Sequence, residues 1–529
     1  MHDLGPVVLI LLLAVAGLAA LARVVRVPYP ITLVLGGLAL GFVPGVPRVQ
    51  LEPDLVLLLF LPPLLYAAAF FSSLRDLRAN VGSISLLSIG LVAATMAGVA
   101  AAGHFALGLS WPVAFVLGAV VSPTDAVAPA AIVRRLGVPR RIVTVIEGEN
   151  LTNDWTALVL YRVAVGAVVA GSFSLPKAAL ALLLTGLGGL VIGLLVGWLV
   201  AQVRRRIDDP PTEMAISLTT AYAAYIPAEE LGASGVIAAV TVGVYLGWRT
   251  PRLVTPSTRL QLHSAWEMLQ FLLNAVLFVL VGFQLPTIIA GLDGVPAARL
   301  IGQAALVCAV VVAVRLAWVF TVMYAPRGAE RCLRSRRERH APPAHVAIVA
   351  WSGMRGAVAL AAALAIPLSV EGGDPFPQRD LLVFLAFATV VGTLVIQGIT
   401  LPWLVRALGV EGDGRDEREE SAARVRAAEA GLARVDELAD ADWTHEATVE
   451  RLRGLFDLRR RRFAARADGD GSGDEAHELR SAQYVRLMRE TIGAQRMALL
   501  DLRDGGEISD EVMRRVEREL DLEESRLGA

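Results

Sequence analysis

From residue 4 to about residue 408 the chain returns repeatedly to apolar runs of about twenty residues that are almost free of charge. A helix needs roughly 20 such residues to cross a bilayer, and only helices or closed barrels satisfy every backbone polar group in lipid. The runs are too long and too evenly apolar for the alternating strands of a barrel. The sequence therefore predicts an all-α polytopic membrane protein. A hydrophobic share of 55% and a mean hydropathy of +0.58 agree with lipid as the solvent for most of the chain. The net charge of −1 says little, because the charges are unevenly spread. Cys308 and Cys332 are too few for a disulfide framework and sit in no metal-ligand spacing. No cofactor and no nucleic-acid partner is indicated.

Thirteen spans are expected, at 4–22, 29–47, 54–71, 81–105, 111–134, 141–169, 176–202, 212–230, 233–248, 262–285, 297–324, 343–369 and 380–407. Cytoplasmic loops collect Arg and Lys. With the N-terminus outside, the inner loops take Arg23 and Arg26, Arg75 and Arg78, Arg134, Arg135, Arg140 and Arg141, Arg204 to Arg206, Arg249, Arg252 and Arg259, and the arginines of 327–339. The outer loops keep only Arg48, Lys177, Arg299 and Arg379. One helix more or fewer would scramble this alternation, so the C-terminus is expected inside, in the cell (inner) membrane. The first run is read as a retained helix: Asp3 precedes it and its arginines follow, the reverse of a secretory leader.

Ionisable residues within spans are costly and so are functional candidates. The fifth span carries 121-VSPTDAVAP-129, where Pro123 and Pro129 weaken the ladder around Thr124 and Asp125. The sixth carries 147-EGENLTNDWTALV-159. Helical spacing puts Glu147, Asn150 and Asp154 on one face and pairs Glu149 with Asn153. The twelfth carries 351-WSGMRGAVALAAALAIP-367, with Arg355 between Gly353 and Gly356. The fifth and twelfth spans are both interrupted and lie seven apart, so they run in opposite directions. That is the trace of an inverted repeat, spans one to six against eight to thirteen, and paired broken helices point to a transporter's midplane site.

With 61-LPPLLYAAAF-70 and 271-FLLNAVLFVLVG-282, these segments stand in the order that resembles monovalent cation:proton antiporters of the sodium/proton exchanger (NhaP-like) type. The resemblance covers about residues 1–408. It implies a homodimer with a six-helix core in which two broken helices cross near the ion. Asp154 is then implied to bind cation and proton in turn, with Na⁺ held at Asp154 and Thr124. Asp125 would tie down helix ends, and Glu149 and Arg355 would form a structural ion pair. Asn153 falls where electrogenic relatives have a second Asp, which implies electroneutral exchange. The chain has Ala67 where some relatives place Glu, and Asn150 where others have Ser. The Asn150 amide oxygen could replace that hydroxyl.

Hard alkali cations favour oxygen ligands, and lack of water at mid-membrane disfavours an empty carboxylate. Only the proton-loaded or cation-loaded Asp154 would change sides readily. One charge carried either way gives one-for-one exchange of Na⁺, K⁺ or Li⁺ against H⁺, with roles in pH and cation homeostasis. Two other classes compete, a cation channel and an intramembrane aspartyl protease using Asp125 and Asp154. The YD and GxGD motifs of the latter are absent.

Beyond residue 408 the composition turns to Arg, Glu, Asp and Ala, with helical spacing at 416–440, 443–466, 475–502 and 508–526. Residues 409–529 are read as a cytoplasmic helical regulatory tail, with His445 and His477 as surface residues. The run 468-DGDGSGDE-475 has Leu479 where a calcium loop needs its twelfth-position Glu, and is read as a linker.

Overall fold

The computed structural model describes residues 4–25, 27–44, 53–169, 175–207, 209–292, 295–324, 342–370, 373–410, 412, 414–468 and 475–527. Among them the only extended pairing is an isolated bridge between Ser369 and Pro375. The helices are α1 (Leu4–Val25), α2 (Tyr29–Gly41), α3 (Pro53–Phe70), α4 (Leu74–Ala79), α5 (Val81–Leu107), α6 (Trp111–Val121), α7 (Val127–Arg135), α8 (Arg140–Val169), α9 (Leu175–Arg204), α10 (Pro210–Glu230) and α11 (Gly235–Leu253). They continue as α12 (Pro256–Phe283), α13 (Leu285–Ala290), α14 (Ala297–Tyr324), α15 (Pro343–Trp351), α16 (Ala357–Leu364), α17 (Arg379–Ala407), α18 (Arg415–Glu437), α19 (Glu446–Asp468), α20 (Glu475–Asp504) and α21 (Asp510–Leu527). Among the described residues, five stretches are long and apolar enough by length and composition alone to cross a membrane: Val81–Leu107, Ala179–Arg204, Thr258–Ala290, Ala297–Met323 and Arg379–Ala407. Of the linker expected at 468–475, Asp468 ends α19 and Glu475 starts α20, and residues 469–474 lie outside the described residues.

The chain divides into two compact units, Met1–Gly412 and Asp413–Ala529. In the first, α5, α6–α7, α8, α14, α15–α16 and α17 pack together. Two apolar clusters fill this bundle on either side of its breaks. One includes Leu117, Leu360 and Phe387, and the other includes Ile132, Ile146, Ile348 and Leu401. The remaining helices associate by close backbone approach. A methyl group on Gly189 of α9 would meet the Ser234 carbonyl oxygen at 2.5 Å, and one on Gly193 the Ala238 oxygen at 2.6 Å. Where lipid removes the hydrophobic drive between helices, small residues spaced by four allow such seams. Local signals set the helix starts: the Asp209 carboxylate accepts from Thr212 N at 3.0 Å, and Ser234 Oγ from Ile237 N at 3.2 Å.

Arg204, expected among the inner-loop charges, is instead fully buried and ion-paired with Glu213 at the start of α10. Beside this pair, Ser217 Oγ lies 3.1 Å from Tyr66 Oη and accepts from Trp266 Nε1 at 3.0 Å.

In the second unit α18 packs on α19 and α20 on α21. Gly431 lets the Phe456 ring approach, and Arg424 lies over the Phe463 ring at 5.0 Å. Exposed pairs such as Arg453–Asp436 (2.6 Å) and Arg496–Glu524 (2.8 Å) contribute little each.

Candidate functional site

The first helix break falls between α6 and α7, at residues 122–126, and the second between α15 and α16, at 352–356. Pro123 has no N–H to continue α6, and Ser122 Oγ closes its end by donating to Ala119 O at 2.8 Å. Ser352 does the same for α15, donating to Ile348 O at 2.7 Å. The two breaks touch: Asp125 N donates to Met354 O at 2.8 Å. A Cβ on Gly356 would lie 2.6 Å from that of Asp125, so glycine is what permits the contact. Asp125 Oδ2 accepts from Ala128 N at 3.3 Å, holding the first turn of α7.

The α8 helix passes beside this crossing and presents two faces. On one, Glu147, Asn150 and Asp154 line a cavity of about 440 Å³, together with Thr124 and Asp125. Exposed Arg134, His263 and Glu267 border it, and it reaches down to Asp154, which is 3% exposed. The walls facing α8 come from α3 and α12, including Leu65, Gln270 and Asn274. Asp154 Oδ1 and Asn150 Oδ1 are buried with no hydrogen-bond partner among the described residues.

On the other face stand Glu149 and Asn153, outside the cavity lining. Asn153 Nδ2 donates to Thr124 O at 3.1 Å and to Thr124 Oγ1 at 2.7 Å. Thr124 Oγ1 in turn donates to Glu149 Oε1 at 3.0 Å. The hydroxyl proton is thus spent within the protein, and one oxygen lone pair remains for a guest in the cavity.

The partner of Glu149 is not Arg355. Arg315 of α14 grips the carboxylate with both terminal nitrogens, at 2.6 Å to Oε1 and 2.9 Å to Oε2. It also donates to the carbonyls of Ala350 (3.1 Å) and Val349 (3.0 Å) in the last turn of α15. The expected Glu149–Arg355 pair gives way because Arg355 faces backbone: its Nε donates to Val121 O at 3.0 Å and its Nη1 to Gly353 O. Those carbonyls sit at the broken ends, where helix partners are missing. Arg315 lies in the interior of an apolar helix of 28 residues, so the rule that flagged the other intramembrane charges also marks it.

The chain matches the family described as sodium/hydrogen exchanger, transmembrane, over residues 9–407. It belongs to the sodium/hydrogen exchanger family. An uncharacterized Na⁺/H⁺ exchanger of Mycobacterium tuberculosis is 39% identical over 527 residues, covering 98% of this chain and 96% of that protein. The Na⁺/H⁺ antiporter ApNhaP of Aphanothece halophytica is 33% identical over 415 residues, covering 78% of this chain and 76% of its own length. The sodium proton antiporter MjNhaP1 of Methanocaldococcus jannaschii shares the fold, with a TM-score of 0.61 at 20% identity, across 77% of this chain and 99% of that one. Sodium/hydrogen exchangers are multi-pass membrane transporters rather than enzymes, and for this member the findings support cation/proton antiport.

Proposed function

We propose that this exchanger trades one Na⁺, K⁺ or Li⁺ for one H⁺ by alternating access, with Asp154 as the shared site. The observation that carries the reading is the partnerless Oδ1 of Asp154 at the foot of the cavity. A carboxylate buried without a protein donor has to be neutralised by a proton or a cation. Thr124 and Asn150 line the same cavity, and their side-chain oxygens are the candidates to join Asp154 around an alkali cation. Asn153 and the Glu149–Arg315 pair stand behind it and carry no transported charge, which favours electroneutral exchange.

On this reading the domain has thirteen spans in an inverted repeat, with its N-terminus outside and its tail in the cytoplasm. The alternation of arginines along the chain supports that orientation. The cavity mouth at Arg134, Glu147 and His263 then faces the cytoplasm, and the apolar packing around Leu117, Leu360 and Phe387 closes the opposite side. We place the protein in the cell membrane as a homodimer that serves pH and cation homeostasis.

The test is pH-gradient dequenching in proteoliposomes, with the membrane potential clamped and each alkali cation added separately. Asp154→Asn is expected to abolish exchange while keeping the native protein's elution profile. Full Na⁺-driven proton movement in that variant would remove Asp154 from the mechanism. Single-channel conductance in the native protein would overturn the exchange reading.

A further inference from the structure

A second and larger cavity, of about 940 Å³, lies between α1, α2, α7, α12 and α17. Its walls are of two kinds. Ala16, Ala19, Ala20 and Val24 make an apolar strip along α1, about 12 Å long at the helical rise. Arg23, Arg135 and Arg406 supply three cations from the last turns of α1, α7 and α17. Among the described residues no acidic side chain lines the hollow, and none of the three arginines has an ion-pair partner. The charge alternation along the chain accounts for arginines at this end of the bundle. It does not account for three of them, from helices far apart in sequence, meeting around one hollow with no acid among its described lining residues.

The hollow also abuts the ion cavity. Tyr29, Ala131 and Phe271 line both, and the Tyr29 and Phe271 rings sit 5.6 Å apart as a thin partition. Guanidinium groups are suited to phosphate oxygens, which they bind in a fork. A phosphate alone would leave the alanine strip uncovered, whereas an acyl chain attached to it would cover the strip. Val24 is 80% exposed on that strip, so the hollow is open on its α1 side.

We propose that this hollow binds an anionic phospholipid. Its phosphate sits among Arg23, Arg135 and Arg406, and an acyl chain lies along the alanines of α1, against the Tyr29–Phe271 partition. Basic pockets between membrane helices are a known chemical solution for such headgroups.

The test uses the full-length protein in detergent and reads its melting temperature, which needs no transport. Phosphatidylglycerol, phosphatidylcholine and inorganic phosphate are titrated separately into the native protein and into Arg23→Gln/Arg135→Gln/Arg406→Gln. Phosphatidylglycerol is expected to raise the native melting temperature saturably, and the other two are not. An arginine near anionic lipid contributes roughly a fivefold gain in binding, so the triple variant is expected to need about a hundredfold more lipid. Ala20→Trp fills the apolar part and keeps all three charges, so it serves if the triple variant does not fold. It is expected to blunt the phosphatidylglycerol response. An equal shift in native and variant proteins would overturn the site, and an equal shift with inorganic phosphate would overturn the lipid as its occupant.

Discussion

Removing one guanidinium at a time tests the wiring behind the ion site. Arg315→Ala would leave the Glu149 carboxylate, 2% exposed, without its two charge-assisted bonds. Breaking a buried pair from one side costs roughly 3–5 kcal/mol. Arg355→Ala removes donors to neutral carbonyls instead, an effect of about 1–3 kcal/mol. Thermal melts in detergent should therefore rank Arg315→Ala as the more damaging. A double-mutant cycle should find coupling of roughly 0.5–3 kcal/mol between Glu149 and Arg315, and the reverse ranking would undo this assignment. Asn153→Asp is expected to lose both donors to Thr124 and to set like acceptors together, at about 1–3 kcal/mol. A melting temperature equal to the native one would show that the two Thr124 contacts carry no weight. The charges of 147–154 were legible in the sequence because carboxylates interrupt an apolar span there. The partner of Glu149 was not legible, since helical spacing says nothing about which distant arginine a carboxylate meets.

At the scale of the elements, the crossing depends on backbone meeting backbone. Gly356→Ala would push a methyl group into Asp125, at 2.6 Å from its Cβ, and so part the Asp125 N–Met354 O bond. Exchange activity is expected to fall at least tenfold, with protein yield as the control. Native rates in Gly356→Ala would mean that the breaks tolerate separation. These interruptions could be read in advance, because proline and paired glycines within apolar runs are local signals. The end of α9 could not: Arg204 reads as a loop charge until Glu213 is seen to meet it. Sequence distance hides that contact, because a turn of unknown course separates the two. In the same way, the half-helices α7 and α15 could be foreseen, whereas the α3 and α12 walls of the ion cavity could not.

For the whole molecule, the separation of Met1–Gly412 from Asp413–Ala529 makes truncation a clean experiment. Deleting residues 413–529 is expected to shift the pH profile of exchange or the population of the proposed dimer, measured by dequenching and by light scattering. If neither changed, the tail would have no part in transport. The seam at Gly189 and Gly193 has a mechanical consequence. Helices packed carbonyl to glycine resist sliding past one another, so α9 and α11 are suited to act as a fixed frame. On the alternating-access reading proposed above, motion would fall to the six-span bundle, with the 440 Å³ hollow beside it as the clearance. A rigid plug lodged there would stall the cycle like a wedge in a sash window, with the carboxylate itself left untouched.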